Sequence, residues 1–425
     1  MLSALLLLIT LFQSVLGYNN TQVKLKSCVL DVLGNNAAQR IVVPADATYT
    51  DARLGEAIQF KELPTLIAYA EKVPEVQGLV KCAKSAGVKA VPRSGGHHFL
   101  GYSVLTDTLV IDVTHIDDVH ISEDLATVRA GGGIRLGALY TALDLHNKTF
   151  PGGICPTVGL SGYLGSGGFS GIIVDWTLKT IEFPRSAMLL LTWNGTDAHF
   201  PVAQRFLEWA PTAPKAFTSQ INVYKSQVQI LGWYLGGTAA QLRTLVQGSG
   251  ILNIGHPQII ISDGCNTDNA RVFGTSINEC LPDDEAKQYS SALNPFQQAF
   301  AAFGNATQFK YQESTQNADI PAADPWPRFR RKSKSFFLQK GKPLEDDILR
   351  EVITRIEQLD EASQIWAEWH AWNLSSESTD FSFPWASQAK AHLEFQIHGS
   401  EDAVVQEGYD KWFTDLEHLL RPAVG

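Results

Sequence analysis

The chain has 425 residues, of which 34 are Lys or Arg and 44 are Asp or Glu, so its formal net charge is −10. This acidic balance argues against a nucleic-acid-binding protein, because neutralising phosphates requires a basic surface. Hydrophobic residues make up 44% of the chain and charged residues only 18%, which excludes the composition typical of disorder. The length suggests two or three domains, or one large domain with two lobes.

The first 17 residues predict a secretory signal peptide. The apolar run from Ala4 to Phe12 is too short to cross a membrane, which takes about 17–25 residues. Val15 and Gly17 stand where a signal peptidase requires small residues. A buried N-terminal helix is the alternative. We therefore expect a secreted chain without a membrane segment, N-glycosylated at some of its sequons, which begin at Asn19, Asn147, Asn194, Asn305 and Asn373.

The chain has an odd number of cysteines, five in all. An oxidising compartment favours disulfides, so one thiol must be left over or pair with another molecule. The short spacing of Cys265 and Cys280 predicts one disulfide. Cys28 with Cys82 would join the N-terminus to the first lobe. The cysteine left over is Cys155, which lies in a glycine-rich segment.

Residues 65–92 predict a β-α-β unit. A buried strand covers Leu66–Ala70, and a second short strand covers Val88–Val91. Between them, Pro74 suits the first position of a helix and Gly87 suits its end. Apolar residues recur on one face of that helix, at Val76, Leu79, Val80 and Ala83.

Two glycine-rich segments follow. The first comes directly after this unit and reads Arg93-Ser94-Gly95-Gly96-His97-His98-Phe99-Leu100-Gly101; the second, residues 151–171, comes after a helix predicted over Leu136–Leu145. Glycine has no Cβ, so such loops let backbone N–H groups approach a phosphate or a flat ring closely. Neither segment is a Rossmann fingerprint or a P-loop, since position 170 is Ser and the P-loop lysine is missing. Tight turns in a β-rich lobe are the alternative.

Together the two segments resemble a known flavoprotein family. The first, Arg93-Ser94-Gly95-Gly96-His97, precedes Gly153-Ile154-Cys155-Pro156-Thr157-Val158-Gly159 and Gly162. This pair is similar to the berberine-bridge-enzyme-like branch of the vanillyl-alcohol-oxidase family, which includes secreted fungal glucooligosaccharide oxidases. The resemblance covers about residues 38–400 and implies bound FAD. It also implies that His97 bonds to the flavin 8α carbon and Cys155 to flavin C6, which would account for the odd cysteine.

The resemblance implies a full set of cofactor-binding residues. They are Arg93, Ser94, Gly95, Gly96, His97, His98, Gly101, Gly153, Cys155, Thr157, Val158, Gly159, Gly162, Gly167, Gly168, Gly171 and Ile173. His98 could compete with His97 for the flavin, but the family pattern selects the first histidine. A loop histidine bonded to backbone is the alternative reading of His97. No metal site is expected.

The chain departs from the family pattern in two places. Gly167-Gly168-Phe169-Ser170 runs directly into Gly171-Ile172-Ile173-Val174, so a segment about the size of a β-α-β unit is missing. The family's C-terminal element, with the tyrosine that serves as base in the oligosaccharide oxidases, has no counterpart before Gly425. We therefore expect little or no oxidase activity from this chain.

Three residues are candidates for catalysis. Glu394 and Gln396 alternate along a strand-like run and share one face, which is either the substrate side or a solvated surface. Tyr102 is the third, because Phe99 stands where relatives often place an active-site tyrosine. A group of aromatic residues could stack on sugars, although a helical core stripe is the favoured alternative: Trp366, Trp369, His370 and Trp372.

The sequence therefore predicts an α+β flavoprotein with two lobes. A PCMH-type FAD lobe would cover residues 38–187, a substrate lobe with an antiparallel sheet backed by helices 188–400, and a short C-terminal segment 401–425. The expected function is a secreted, monomeric FAD-linked oxidase that takes a hydride from an alcohol or sugar hemiacetal and passes electrons to O2. The alternative is a secreted glycoprotein that keeps the fold without turnover.

Overall fold

The computed structural model describes residues 20–153, 157–165, 171–183, 186–265, 328, 330–342, 344–359, 366–371 and 387–424. The side chains of 20, 264, 265 and 366–368 are not included. Two compact units make up the chain: residues 1–181 with 307–328, and residues 182–306 with 329–425. Within the ranges given, no helix is long and apolar enough to span a membrane. The predicted signal peptide lies outside them.

The first unit contains a four-stranded sheet whose three longer strands are parallel. In space the strands follow the order β1 (Ile41–Val42), β2 (Leu66–Tyr69), β4 (Thr108–Asp112) and β3 (Lys89–Arg93), and only β1 is antiparallel to its neighbour. Two helices precede β2, α1 (Asn20–Leu33) and α2 (Tyr49–Ala52), and a 3₁₀ turn covers Ala37–Gln39.

The predicted β-α-β unit is confirmed. Helix α3 (Val73–Ala86) joins β2 to β3, with Pro74 in its first turn and Gly87 as its left-handed C-cap. Val76, Leu79 and Ala83 are buried as predicted, whereas Val80 is exposed. A disulfide joins Cys28 of α1 to Cys82 of α3, as predicted. The side chain of Cys265 and all of Cys280 lie outside the described residues.

A second, antiparallel sheet completes the first unit. It has the order β5 (Val119–Ile121), β6 (Thr127–Gly131) and β8 (Asp175–Lys179). Helix α4 (Leu136–Asp144) packs on it with a buried apolar face, as the sequence predicts. The short elements nearby are β7 (Lys148–Thr149), α5 (Leu160–Leu164) and β9 (Ile181–Glu182).

The second unit is built on a seven-stranded sheet in which all neighbouring strands are antiparallel. Its spatial order is β13 (Gln258–Cys265), β10 (Ser186–Asn194), β12 (Gln227–Leu235), β11 (Phe217–Val223), β15 (Trp366–Ala371), β16 (Ala389–His398) and β14 (Arg331–Gln339).

Four helices supply buried side chains to the core of this unit: α6 (His199–Trp209), α7 (Ala239–Gly248), α8 (Asp346–Glu357) and α9 (Ala403–Leu420). Short 3₁₀ turns cover Ala210–Thr212 and Ile251–Asn253. The α+β class and the antiparallel sheet backed by helices are as predicted. One expectation is wrong: residues 366–371 form a strand, not a helix, and Trp369 is fully buried in the core rather than available to stack on a sugar. Trp372 lies outside the described residues.

Candidate functional site

The first glycine segment begins where β3 ends, at the carboxyl edge of the parallel sheet. Arg93 is buried there; its guanidinium pairs with the Asp112 carboxylate and donates to the Ala52 carbonyl oxygen at 2.6 Å and to the Tyr69 hydroxyl at 3.2 Å. Burial alone would lower the pKa of Arg93, but Asp112 and Tyr69 outweigh it and the pKa is raised. Burial raises the pKa of Tyr69 to about 12. Arg93 therefore anchors the start of the loop.

The two glycine segments meet with their backbones in direct contact. A Cβ on Gly95 would lie 2.2 Å from the amide nitrogen of Gly159, and a Cβ on Gly159 would lie 2.3 Å from Ser94 Oγ. Ser94 Oγ in turn donates to the carbonyl oxygen of Gly132 at 2.9 Å. Only glycine allows such close approach. The structure therefore brings together the two segments on which the resemblance rests.

A cleft beside the first glycine segment is lined by residues with backbone donors. Its lining includes Ser94, Gly95, Gly96, Thr114, His115 and Arg135. The N–H groups of Gly95 and Gly96 donate to no other group in the part of the chain that the structure describes. Gly96 has a positive φ of 71°, which glycine adopts without strain. Unengaged N–H groups on residues that line a cleft suit an anion such as a diphosphate.

His97 and His98 have different surroundings. His97 is half-buried, and its Nε2 atom is enclosed. His98 Nδ1 accepts a hydrogen bond from the Leu100 N–H at 3.1 Å, which puts the proton of the neutral ring on Nε2. Burial lowers the pKa of His98. Its ring lies 4.9 Å from that of Tyr102, which is about half exposed.

In the second motif, the described residues on either side of Cys155 are held by side chains of α4 and of the residue before it. The Tyr140 hydroxyl donates to the Gly153 carbonyl oxygen at 2.7 Å. Arg135, just before α4, donates to the carbonyl oxygens of Thr157 and Gly95. Sequence reasoning missed Arg135 and Tyr140, because only the fold brings them to these carbonyls. Cys155 lies outside the described residues.

The remaining predicted cofactor residues are placed as follows. Gly101 has a positive φ of 72° and touches the Phe60 ring, while the Ile173 carbonyl lies against Gly132. The Leu136 N–H donates to the Val158 carbonyl oxygen at 3.0 Å, and Gly171 has a φ of 116°. Gly162 lies in α5, and a Cβ there would meet open space. Gly167 and Gly168 lie outside the described residues.

In the second unit, Glu394 and Gln396 share the polar face of β16. Alternate residues of this strand, such as Leu393 and Phe395, are fully buried in the core. Glu394 Oε1 accepts hydrogen bonds from Gln396 Nε2 at 2.8 Å and from Ser333 Oγ at 3.0 Å. The two candidates are therefore coupled directly, and Ser333 is a third member that sequence reasoning missed.

Three histidines lie on the same face of the sheet. Burial, followed by the charge of Arg331, lowers the pKa of His398 to about 4, so this ring is neutral at pH 7. The rings of His392 and His370 are stacked with centroids 6.2 Å apart, and Phe337 stacks on His392 at 4.9 Å. This face thus carries a carboxylate, an amide and flat rings.

Comparison with known proteins identifies the family. The FAD binding domain family matches residues 64–177. FAD-linked oxidoreductase pynB of Aspergillus niger is 47% identical over 458 residues, which cover 96% of this chain and 84% of that protein. The chain belongs to the same family of FAD-linked oxidoreductases as pynB. Berberine bridge enzyme-like 6 of Arabidopsis thaliana is 37% identical over 132 residues, 30% of this chain and 23% of that protein.

Solved structures show the same fold for this chain. BBE-like 1 of Physcomitrella patens has a TM-score of 0.72 at 20% identity, covering 93% of this chain and 88% of that one. Phl p 4.0202, described as a glucose dehydrogenase, has a TM-score of 0.72 at 15% identity, covering 94% and 86%.

The relatives are longer than this chain. FAD-linked oxidoreductase pytB of Aspergillus terreus is 48% identical over 465 residues, which cover 97% of this chain but only 57% of that protein. Since 96–97% of 425 residues is about 410, the alignments over 465 and 458 residues each contain about 50 positions without a residue of this chain.

Proposed function

We propose that this chain is a secreted FAD-dependent oxidase that removes a hydride from a carbon bearing a hydroxyl group, in an alcohol or a sugar hemiacetal, and transfers the electrons to O2. The main support is the cleft beside the first glycine segment, because the unengaged N–H groups of Gly95 and Gly96, two residues of its lining, suit the diphosphate of FAD. The residues present therefore fit the cofactor that the family implies.

The chain's own residues would hold FAD at two kinds of contact. Backbone N–H groups of Gly95 and Gly96 would bind the diphosphate, while Arg93, neutralised by Asp112, keeps their loop in place. His97 and Cys155 would each bond covalently to the flavin and prevent its loss. When bound, FAD supplies the hydride acceptor and passes the electrons to O2, releasing hydrogen peroxide.

Proton removal from the substrate hydroxyl requires a base. Glu394 is the stronger candidate, because a carboxylate accepts a proton whereas the amide of Gln396 does not. In this proposal Gln396 and Ser333 orient the Glu394 carboxylate by their hydrogen bonds to Oε1. Tyr102 is the second candidate base, as a phenol beside the His98 ring in the unit that carries the FAD loop.

A second candidate function is a secreted glycoprotein that keeps the fold but neither holds FAD nor turns over. The observation in its favour is the gap of about 50 alignment positions relative to pytB and pynB. An absorbance spectrum of the purified protein distinguishes the two functions, because it shows whether FAD is bound. Flavin bands near ~370 and ~450 nm support the oxidase, while a folded, colourless protein that takes up no added FAD would contradict it.

Turnover needs its own experiment. Protein with bound FAD is mixed with a panel of sugars and alcohols, first without O2 to record bleaching of the ~450 nm band, then with O2 to measure peroxide. Bleaching by an alcohol or sugar supports the proposed substrate class, whereas bleaching by none of them overturns it. Sequencing the N-terminus of the protein collected from the culture medium tests secretion: a chain that begins at Tyr18 supports cleavage after Gly17.

A further inference from the structure

His115 is a buried histidine whose ring nitrogens have no hydrogen-bond partner within the described part of the chain. Its exposed fraction is 4%, and it follows β4, whose carboxyl end lies at the same edge of the sheet as those of β2 and β3. Its ring lies 6.0 Å from the Tyr69 ring, centroid to centroid. Buried polar atoms are nearly always hydrogen-bonded, so an exception calls for an explanation.

His115 lines the same cleft as the residues with unengaged backbone donors. Gly95 and Gly96, whose N–H groups donate to no other described residue, form another part of the lining. In open sheets with parallel strands, ligands bind at the carboxyl ends of the strands, which is where this cleft lies. Backbone and side-chain donors without partners therefore converge on one space.

The cationic side chains around this cleft already have partners. Arg93 pairs with Asp112, and Arg328 donates to Asp51 Oδ1 at 2.5 Å. Arg135 donates to the Thr157 and Gly95 carbonyl oxygens. A phosphate group entering the cleft would thus find His115 ready to donate without breaking a protein hydrogen bond. A neutral imidazole donates one hydrogen bond and an imidazolium donates two.

We propose that His115 binds the diphosphate in the ADP half of FAD. The inference rests on the proposed function in so far as FAD is the cofactor. It assigns a donor outside both glycine segments, at a position to which the resemblance gives no role. A ring that is left without partners in the protein alone gains them when the diphosphate enters.

The proposal predicts opposite effects of one substitution on the empty and the loaded protein. His115→Phe keeps a flat ring and removes both nitrogens, so the protein without FAD should melt at the same temperature or higher. Its affinity for ADP should fall about tenfold to hundredfold, as for the loss of a hydrogen bond to a charged group. Riboflavin, which has no diphosphate, should bind as it does to the unsubstituted protein. His120→Phe, at an exposed position of β5 in the same unit, is the matched control.

The titrations use the full chain with His97→Ala and Cys155→Ala, in which any covalent tether through these residues is removed and FAD can be stripped. Calorimetry then measures ADP, riboflavin and inorganic phosphate for the parent, His115→Phe and His120→Phe. A selective loss of ADP binding in His115→Phe supports the proposal, and a parallel loss of phosphate binding agrees with it. Equal ADP affinity in the two variants, or an equal loss of riboflavin and ADP in His115→Phe, overturns it. If the parent binds neither FAD nor ADP, the proposed function fails as well.

Discussion

Tyr140 donates a hydrogen bond from its hydroxyl to the carbonyl oxygen of Gly153 at 2.7 Å. The contact is so close that a Cβ on Gly152 would lie 2.0 Å from the Tyr140 oxygen. On the far side of Cys155, Arg135 holds the Thr157 carbonyl oxygen. Gly153 and Thr157, the described residues on either side of the predicted flavin-linked cysteine, are therefore both held by side chains from one helix and its N-cap.

Tyr140→Phe should reduce covalent attachment of flavin through Cys155. The substitution leaves the Gly153 carbonyl without this donor, and a thiol that is poorly placed reacts slowly. We expect the effect in a His97→Ala background, where Cys155 is the only predicted tether, measured as the fraction of flavin that stays with acid-precipitated protein. With His97 intact, attachment through His97 should persist.

The matched control is Tyr49→Phe. The Tyr49 hydroxyl also is buried and also donates to a backbone carbonyl, that of Pro64 at 2.7 Å. Both variants should lose a comparable stability of about 1–3 kcal/mol. Equal flavin retention in the two variants would show that the tether does not depend on Tyr140.

Gly95→Ala and Gly162→Ala should separate folding from cofactor binding. A Cβ on Gly95 meets the Gly159 backbone at 2.2 Å, so this variant should be destabilised with or without FAD. A Cβ on Gly162 meets nothing within 4 Å, so the protein without FAD should keep its melting temperature or gain from helix propensity. If Gly162 lets the backbone approach FAD, only the loaded form should be weakened. Thermal melts with and without FAD measure both effects, and an unchanged FAD-induced shift would remove Gly162 from the site.

Sequence patterns predicted the parts of this fold that depend on local spacing. Helical periodicity identified α3, and the alternation in β16 put Glu394 and Gln396 on one face. Strand β15 was missed because its tryptophans and histidine fit a helical stripe equally well, and only pairing with β11 and β16 decides the outcome.

The missed site residues share one physical property. Arg135, Tyr140 and Ser333 act on groups that only the tertiary structure brings within reach, and their neighbours in the sequence do not reveal this. The glycine motifs could be identified from the sequence without knowledge of their tertiary contacts, because clustered residues without a Cβ already indicate a close approach of the backbone.

Stability should fall as the pH drops from 6.5 towards 4, in part because of His398. Its pKa is lowered from 6.5 to about 4 by burial and by Arg331. Above pH 6.5 the ring is neutral in the folded and the unfolded chain, so its titration does not change the free energy of unfolding. Between these two pKa values His398 binds a proton in the unfolded chain but stays neutral in the folded chain, and this difference favours unfolding. Burial lowers the pKa of His199 as well, even though Glu357 opposes the shift. Protonation of His199 in the unfolded chain therefore also favours unfolding as the pH falls.

Urea unfolding at several pH values checks this. His398→Asn should flatten the fall in unfolding free energy between pH 6.5 and 4, while His120→Asn, at an exposed position, should leave the slope as it is. An identical slope in both variants would show that His398 does not titrate as described.

Glu394→Gln should slow flavin reduction by substrate much more than Gln396→Ala or Tyr102→Phe. The amide keeps the size of the carboxylate and its ability to accept from Ser333, but it cannot take a proton, and losing a general base costs about 10²–10⁴-fold in rate. Stopped-flow mixing without O2 isolates this step from peroxide formation. If Tyr102→Phe has the larger effect instead, the phenol is the base and Glu394 is a substrate-binding group.

Restoring the missing segment should raise oxidase activity strongly. The alignments with pytB and pynB contain about 50 positions that this chain lacks. We expect these positions to include the segment predicted to be missing after Ser170, which would add backbone around the flavin and the adenosine. A loosely held flavin loses the positioning on which hydride transfer depends, so this chain should release peroxide slowly even with FAD bound. Two proteins are compared, this chain and a version with the corresponding pynB segment inserted after Ser170, both loaded with FAD and tested on the same sugars and alcohols. A version that carries the same insert in scrambled order controls for added length. Equal peroxide rates from this chain and the restored one would show that the shortened site is competent, and Glu394 would then be the first residue to test as its base.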